Sequence, residues 1–158
     1  MGVEGLWFAV KPWAKPGNLF KLCTQACIGL DASLLLHHHV NALRHERFRA
    51  HTLGEMRSHV VQSVVGHADK LTGRGPSSIH VLDGLKNPAK VVAQSKRANV
   101  TQTLRIPVDD ELKLLLISAF RRRGVTCYNV AQCEADAQLE SLDCRNAVQC
   151  VVTTDGDA

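Results

Sequence analysis

Short apolar runs, each closed by an acid or followed closely by one, alternate along this chain with longer stretches whose apolar residues recur every three to four positions. Ala26-Cys27-Ile28-Gly29-Leu30 has the length of a buried strand and ends at Asp31. From Leu34 to Arg49, the positions of Leu34, Leu35, Val40, Ala42 and Leu43 suit a helix. A second helix is predicted over Glu55 to Leu71 from Met56, Val60, Val61, Val64 and Val65, and Thr72-Gly73-Arg74-Gly75-Pro76 breaks it. Ile79-His80-Val81-Leu82 reads as the next strand and runs into Asp83-Gly84. Helices follow after Pro88 and from Pro107 to Arg123, where Gly124 stops the second and Arg121, Arg122 and Arg123 complement its dipole. Val125 to Val130 and Ala147 to Val152 read as the last two strands. The order strand, helices, strand, helices, strand, helix, strand predicts an α/β fold with a mostly parallel sheet covered by helices on both faces.

In such sheets ligands bind beyond the carboxyl ends of the strands. Six carboxylates fall there: Asp31, Asp83, Glu134, Asp136, Asp155 and Asp157. Taken singly, a strand-end acid is more often a helix cap or a solvated loop residue. Taken together they are harder to dismiss, because four strands would have to end in capping acids on the same edge. Two charges 4 Å apart at an effective dielectric of about 20 cost roughly 4 kcal/mol. A fold that gathers several acids therefore has to protonate some of them or hold cations. All-oxygen donor sets favour hard divalent ions such as Mg²⁺.

Composition narrows the class. At 158 residues, 45% hydrophobic and 22% charged, the chain has the makings of about one globular domain. Its net charge of +4 becomes more telling if the acids collect in one site, since the remaining surface must then be more basic than the average. The six cysteines form no C-x-x-C pair, and several lie in apolar runs, where a thiol behaves as a small hydrophobe. Pro12 and Pro16 interrupt the first residues, which lack the cationic start and apolar core of a signal peptide, and position 6 is Leu where a myristoylation motif needs Ser or Thr. No run approaches a membrane span. The expectation is an intracellular, reduced and soluble protein with no membrane partner.

Cations and histidines add two features. Lys90 and Arg97 lie seven and fourteen residues past Asp83, two turns apart on one helical face. The plain alternative is a solvated basic face that also carries Lys86 and Lys96. His37-His38-His39 could be read as a metal tract, but consecutive helical residues point in different directions and cannot all reach one ion. A surface role is favoured for His38 and His39.

Met1-Gly2-Val3-Glu4-Gly5-Leu6-Trp7, Leu30-Asp31-Ala32-Ser33, Leu82-Asp83-Gly84, Glu134-Ala135-Asp136-Ala137-Gln138-Leu139 and Thr154-Asp155-Gly156-Asp157 resemble the successive signatures of the flap endonuclease/XPG (Rad2) family of structure-specific 5′ nucleases. The likeness runs in the right order over essentially the whole chain, with residues 1–100 resembling the family's N-terminal region and 101–158 an incomplete internal region. The acid motif is closest to the 5′-exonuclease branch, and Thr-Asp-Gly-Asp is similar to the Holliday-junction resolvase branch, so the branch stays open. The resemblance implies a nuclear DNA endonuclease or 5′-exonuclease of repair or replication, with a mitochondrial location left open. It also implies two Mg²⁺ ions, replaceable by Mn²⁺, and branched or nicked DNA as partner. By that likeness Asp83, Glu134 and Asp136 serve one ion with Asp31 close by, Asp155 and Asp157 serve the second, and Lys90 and Arg97 hold the attacked phosphate. His37 then stacks on the base beside the cut, a contact of about 1–3 kcal/mol. Arg44 would contact the strand, and Gly2 would leave room for the substrate backbone.

Two departures qualify what the resemblance implies. From Asp83 to Glu134 the chain runs 134 − 83 = 51 residues, too short for the full helical arch of the flap-endonuclease branch. Family members also continue past the last acid pair with more sheet, a further metal-ligating Asp and a helix-hairpin-helix element. The expectation is therefore an N-terminal fragment, a partial gene model or a degenerate paralogue, with weak or absent activity on its own. The alternatives are a family member that binds DNA without cutting it, and a small RNA-cleaving nuclease of the same carboxylate type.

Overall fold

The computed structural model describes residues 12, 26–45, 52–73, 77–84, 106–125, 128–132 and 134–152, with the side chains of residues 44, 45, 72, 128 and 129 outside that set. The expected amino-terminal segment and the helix after Pro88 lie outside the described residues. Four strands, β1 (Cys27–Asp31), β2 (Ser77–Leu82), β3 (Tyr128–Val130) and β4 (Cys150–Val152), form one sheet in the order β3-β2-β1-β4. Every pairing is parallel. The helices are α1 (Ala32–His45), α2 (Leu53–Thr72), α3 (Asp110–Arg122) and α4 (Ala135–Cys144).

Alternation along β2 sorts these helices onto two faces. Leu82 belongs to the large cluster built by Leu36 and Val40 of α1, Val60 and Val64 of α2, and Leu112, Leu116 and Phe120 of α3. Val81, one residue earlier, packs with Ala131 and with Ala135 and Leu139 of α4. In β1, Ile28 and Leu30 pack with Leu71 of α2, whereas Gly29 faces α4 so closely that an added Cβ would lie 2.8 Å from Leu139 Cδ2. The expected layering, helices on both faces of a parallel sheet, is what the chain builds.

Several boundaries differ from the periodic pattern, and capping explains them. Helix α2 starts at Leu53 because Thr52 and Glu55 form a capping box: Thr52 Oγ1 accepts from Glu55 N at 3.2 Å and Glu55 Oε2 accepts from Thr52 N at 3.0 Å. Helix α3 starts at Asp110 because Asp109 Oδ1 accepts from Leu112 N at 3.0 Å. At its other end Gly124, at φ 68°, closes a Schellman turn in which Val125 N donates to Phe120 O. Val125 is thereby consumed by the helix end, and β3 begins only at Tyr128. The same device, with Asn146 at φ 54° and Ala147 N donating to Leu142 O, delays β4 to Cys150.

Helices α2 and α3 are tied by Arg57, a buried guanidinium that bonds Asp109 Oδ2 at 2.5 Å and also Glu111 Oε2. Among the described residues, no helix is long and apolar enough to cross a membrane. Cys27, Cys144 and Cys150 are free thiols; Cys27 and Cys150, which lie in apolar runs, are partly buried, and Cys144, which does not, is exposed.

One buried group gives the fold a pH signature. His80 is fully buried in β2, its Nε2 lies 3.0 Å from Ser78 Oγ, its ring is 4.8 Å from that of Phe120, and its Nδ1 has no hydrogen-bond partner. Burial, with a smaller push from His67, lowers its pKa from 6.5 to about 4. The unfolded chain then binds more protons between those values, so this contribution is complete above pH 6.5 and is lost as pH falls toward 4. It amounts to roughly 3 kcal/mol. Chemical denaturation of wild type and His80→Leu at steps from pH 4 to 7.5 should show the slope in wild type and its loss in the variant; equal slopes would contradict the assignment.

Candidate active site

The register brings the strand ends to one edge. Asp31 lies opposite Val81, Leu82 opposite Val130, and Leu30 opposite Val152, so β1, β2, β3 and β4 all finish at the same level. Asp31 is the last residue of β1 and also the cap of α1, its Oδ1 accepting from Leu34 N at 2.9 Å. Asp83 follows directly after β2. Glu134 precedes α4, and Asp136 stands in its first turn.

Asp83 is held from several sides. Its N–H donates to Ser33 Oγ at 2.7 Å, its carbonyl accepts from Lys113 Nζ at 2.7 Å, and its Oδ1 accepts from Ala135 N at 2.8 Å. The last contact places the carboxylate on the amino terminus of α4, where unsatisfied N–H groups and the helix dipole favour negative charge. Glu134, at the cap position itself, makes no side-chain cap bond, so Asp83 takes the role across the sheet. Gly84 explains the close approach: an added Cβ there would fall 1.7 Å from the carbonyl oxygen of Ala131. The exits of β2 and β3 touch through backbone, and Ala131 N donates to Leu82 O at 2.8 Å. This contact carries Glu134 and Asp136 to the Asp83 side.

Asp31 reports the electrostatics of the corner. Burial is the largest influence on its carboxyl, the negative charges of Asp83 and Asp136 add to it, and its pKa rises from 3.8 to about 6 despite the Leu34 bond. Three acids from three segments thus sense one another at one sheet edge. Among the described residues, no group of three or more His, Cys, Asp or Glu closes into a metal cage. The donors are all carboxylate oxygens, the kind a hard divalent ion takes, and one of them is pushed toward protonation by burial and by two neighbouring charges.

The remaining expected site residues fall as follows. His37 is exposed on α1, six residues beyond Asp31. Arg44 has its backbone in the last turn of α1, and its side chain is outside the described residues. Gly2, Lys90, Arg97, Asp155 and Asp157 also lie outside them, although β4 ends at the same edge three residues before Asp155. Sequence reasoning assigned no role to Ser33 or Lys113. Ser33 had a signal, a hydroxyl two residues past the strand-end acid, whereas nothing local marks Lys113 among the charges of α3.

No protein-family model matches the sequence, and no curated protein matches it. Solved structures do. The catalytic core of Rad2 in complex with DNA substrate superposes with a TM-score of 0.73 at 24% identity, covering 99% of this chain and 45% of that one. A second Rad2–DNA complex gives 0.75 at 22%, covering 98% and 46%. Human GEN1 in complex with Holliday junction DNA gives 0.63 at 17%, covering 99% and 37%. The chain carries the fold of the Rad2/XPG nuclease core along its length and spans less than half of each of these structures.

The raised Asp31 pKa has a consequence for stability. A carboxyl whose folded pKa lies above its unfolded value favours the fold below about pH 4, and this is lost as pH rises through 6. Asn keeps the cap to Leu34 and removes the charge. In EDTA at pH 7.5, Asp31→Asn should raise stability by about 1 kcal/mol once solvent screening is allowed for, about 3 °C in Tm, with the gain vanishing by pH 4. Thermal melts across that range check it; a variant less stable than wild type at pH 7.5 would contradict it.

Proposed function

We propose that this chain carries the catalytic core of a Mg²⁺-dependent structure-specific DNA nuclease. The observation that carries the reading is the meeting of Asp31, Asp83 and Asp136 at one edge of a parallel sheet, where Asp31 is pushed up to about pH 6 by burial and by the other two charges. The Rad2 and GEN1 structures with the same fold contain DNA substrate and Holliday junction DNA, which supports branched DNA as the partner. Two bound divalent ions would supply a water of lowered pKa and charge neutralisation at the leaving oxygen.

This chain's own groups have separable tasks in the proposed reaction. Asp83, Glu134 and Asp136 would hold one ion, with Asp31 close by, and Asp155 and Asp157 the other. Lys90 and Arg97 would orient the scissile phosphate and offset charge as it develops. Water forms a bond to phosphorus, the bond from phosphorus to the 3′ oxygen breaks, and that oxygen takes a proton, leaving a 5′-phosphorylated product. His37, exposed six residues past Asp31, would stack on a base. Arg44 would contact the strand backbone and Gly2 would leave it room. Cutting in repair or replication, in the nucleus, is the expected setting.

The alternative is a protein that binds branched DNA without cutting it. Cleavage assays on 5′-flap, nicked, four-way-junction and single-stranded RNA substrates separate the readings. The proposal expects cutting of a DNA structure with Mg²⁺, none with EDTA, and at least a hundredfold loss in Asp83→Ala. Lys90→Ala should lower turnover by a similar factor with little change in DNA affinity. Binding without cutting would establish the second reading, and cutting of RNA alone would redirect the substrate class.

A further inference from the structure

Lys113 enters this site from an element that supplies no acid. It lies near the start of α3, half-buried, and its ammonium donates to the backbone carbonyl of Asp83 at 2.7 Å. Its own helix offers it nearer partners, since Asp109 and Asp110 stand four and three residues before it. Asp109, however, is taken by Arg57 through Oδ2 and by the Leu112 N–H through Oδ1, and Glu111 is also bonded to Arg57. The ammonium instead crosses the sheet edge to the peptide that leaves β2.

Two roles are open to an amine placed there, and they have opposite signs. As a plain counter-charge it would relieve the crowded acids and compete with a bound cation, so that its removal would tighten metal binding. Its bond, however, runs to the backbone carbonyl of Asp83 rather than to that residue's carboxylate. As a fixed donor to the Asp83 carbonyl it would instead hold that residue's backbone, together with Ser33 on the N–H and Ala135 on the carboxylate. The carbonyl bond spans α3 and β2, and Asp83 is not otherwise tied to α3 among the described hydrogen bonds. A ligand's aim is set by such supporting bonds, and losing one costs roughly 10–100-fold in metal affinity.

We infer that Lys113 is a positioning residue, locking the peptide of Asp83 so that its carboxylate is presented to a divalent cation at the acid corner. The inference rests on the metal-dependent reading above.

Binding of Mn²⁺ alone to the 158-residue chain, followed by the loss of the free-ion electron paramagnetic resonance signal, tests this without DNA or turnover. Lys113→Met keeps the apolar stem and removes the donor, and Lys113→Arg restores a donor of similar reach. The expected result is a dissociation constant raised about tenfold in Lys113→Met and returned to within about threefold of wild type in Lys113→Arg, with metal-free melting temperatures alike in all three. Unchanged or tighter binding in Lys113→Met, with Mn²⁺ bound by wild type, would overturn the positioning role and leave the metal site standing. Failure of wild type to bind Mn²⁺ at millimolar concentration would overturn both. A low melting temperature in both variants, with affinity lost in both, would mark Lys113 as structural and overturn the inference as well.

Discussion

Everything at the functional edge of this protein depends on holding carboxylates close together against their repulsion. Asp83 shows how that is done. Its N–H, carbonyl and carboxylate are bonded to Ser33 of α1, Lys113 of α3 and Ala135 of α4. Three helices on two faces of the sheet thus converge on one residue. The Ala135 contact is the strongest in kind, because it sets a formal negative charge against the positive end of a helix. Gly84 supplies the steric permission, since any side chain there would run into the Ala131 carbonyl and separate the β2 exit from the β3 exit.

The cost of the arrangement surfaces at Asp31. Its bond to Leu34 should lower its pKa, and yet burial and two neighbouring charges outweigh that bond. A corner of this kind is destabilising at neutral pH, which is a common trade between stability and function. The rest of the chain tolerates it because the large cluster of α1, α2 and α3, anchored by Phe120, Leu112 and Leu116, lies on the opposite side of β2 from α4 and is independent of the acids.

Much of this was legible in the sequence. The strands that lead to Asp31 and Asp83 could be read because short apolar runs alternate there with stretches of 3.6-residue period, and the parallel sheet followed from the order of elements. The sequence also placed the acids on one edge, since successive parallel strands of such a sheet end on the same side. Boundaries were less legible: Val125 and Ala147 are apolar and strand-like, and only the Schellman turns show that their N–H groups are committed to helix ends. Least legible was Lys113. Its role comes from a contact thirty residues distant in sequence, which leaves no local trace.

The central claim is that Asp31, Asp83 and Asp136 share one electrostatic site waiting for a divalent ion. Carbon-13 titration of the Asp31 side-chain carboxyl, with and without saturating Mg²⁺, examines it most directly. The account predicts a pKa of about 6 without metal and a value below the ordinary 3.8 with it. A carboxyl titrating near 3.8 in both conditions would mean that the acids neither sense one another nor meet a common ion, and the account would be wrong at its root.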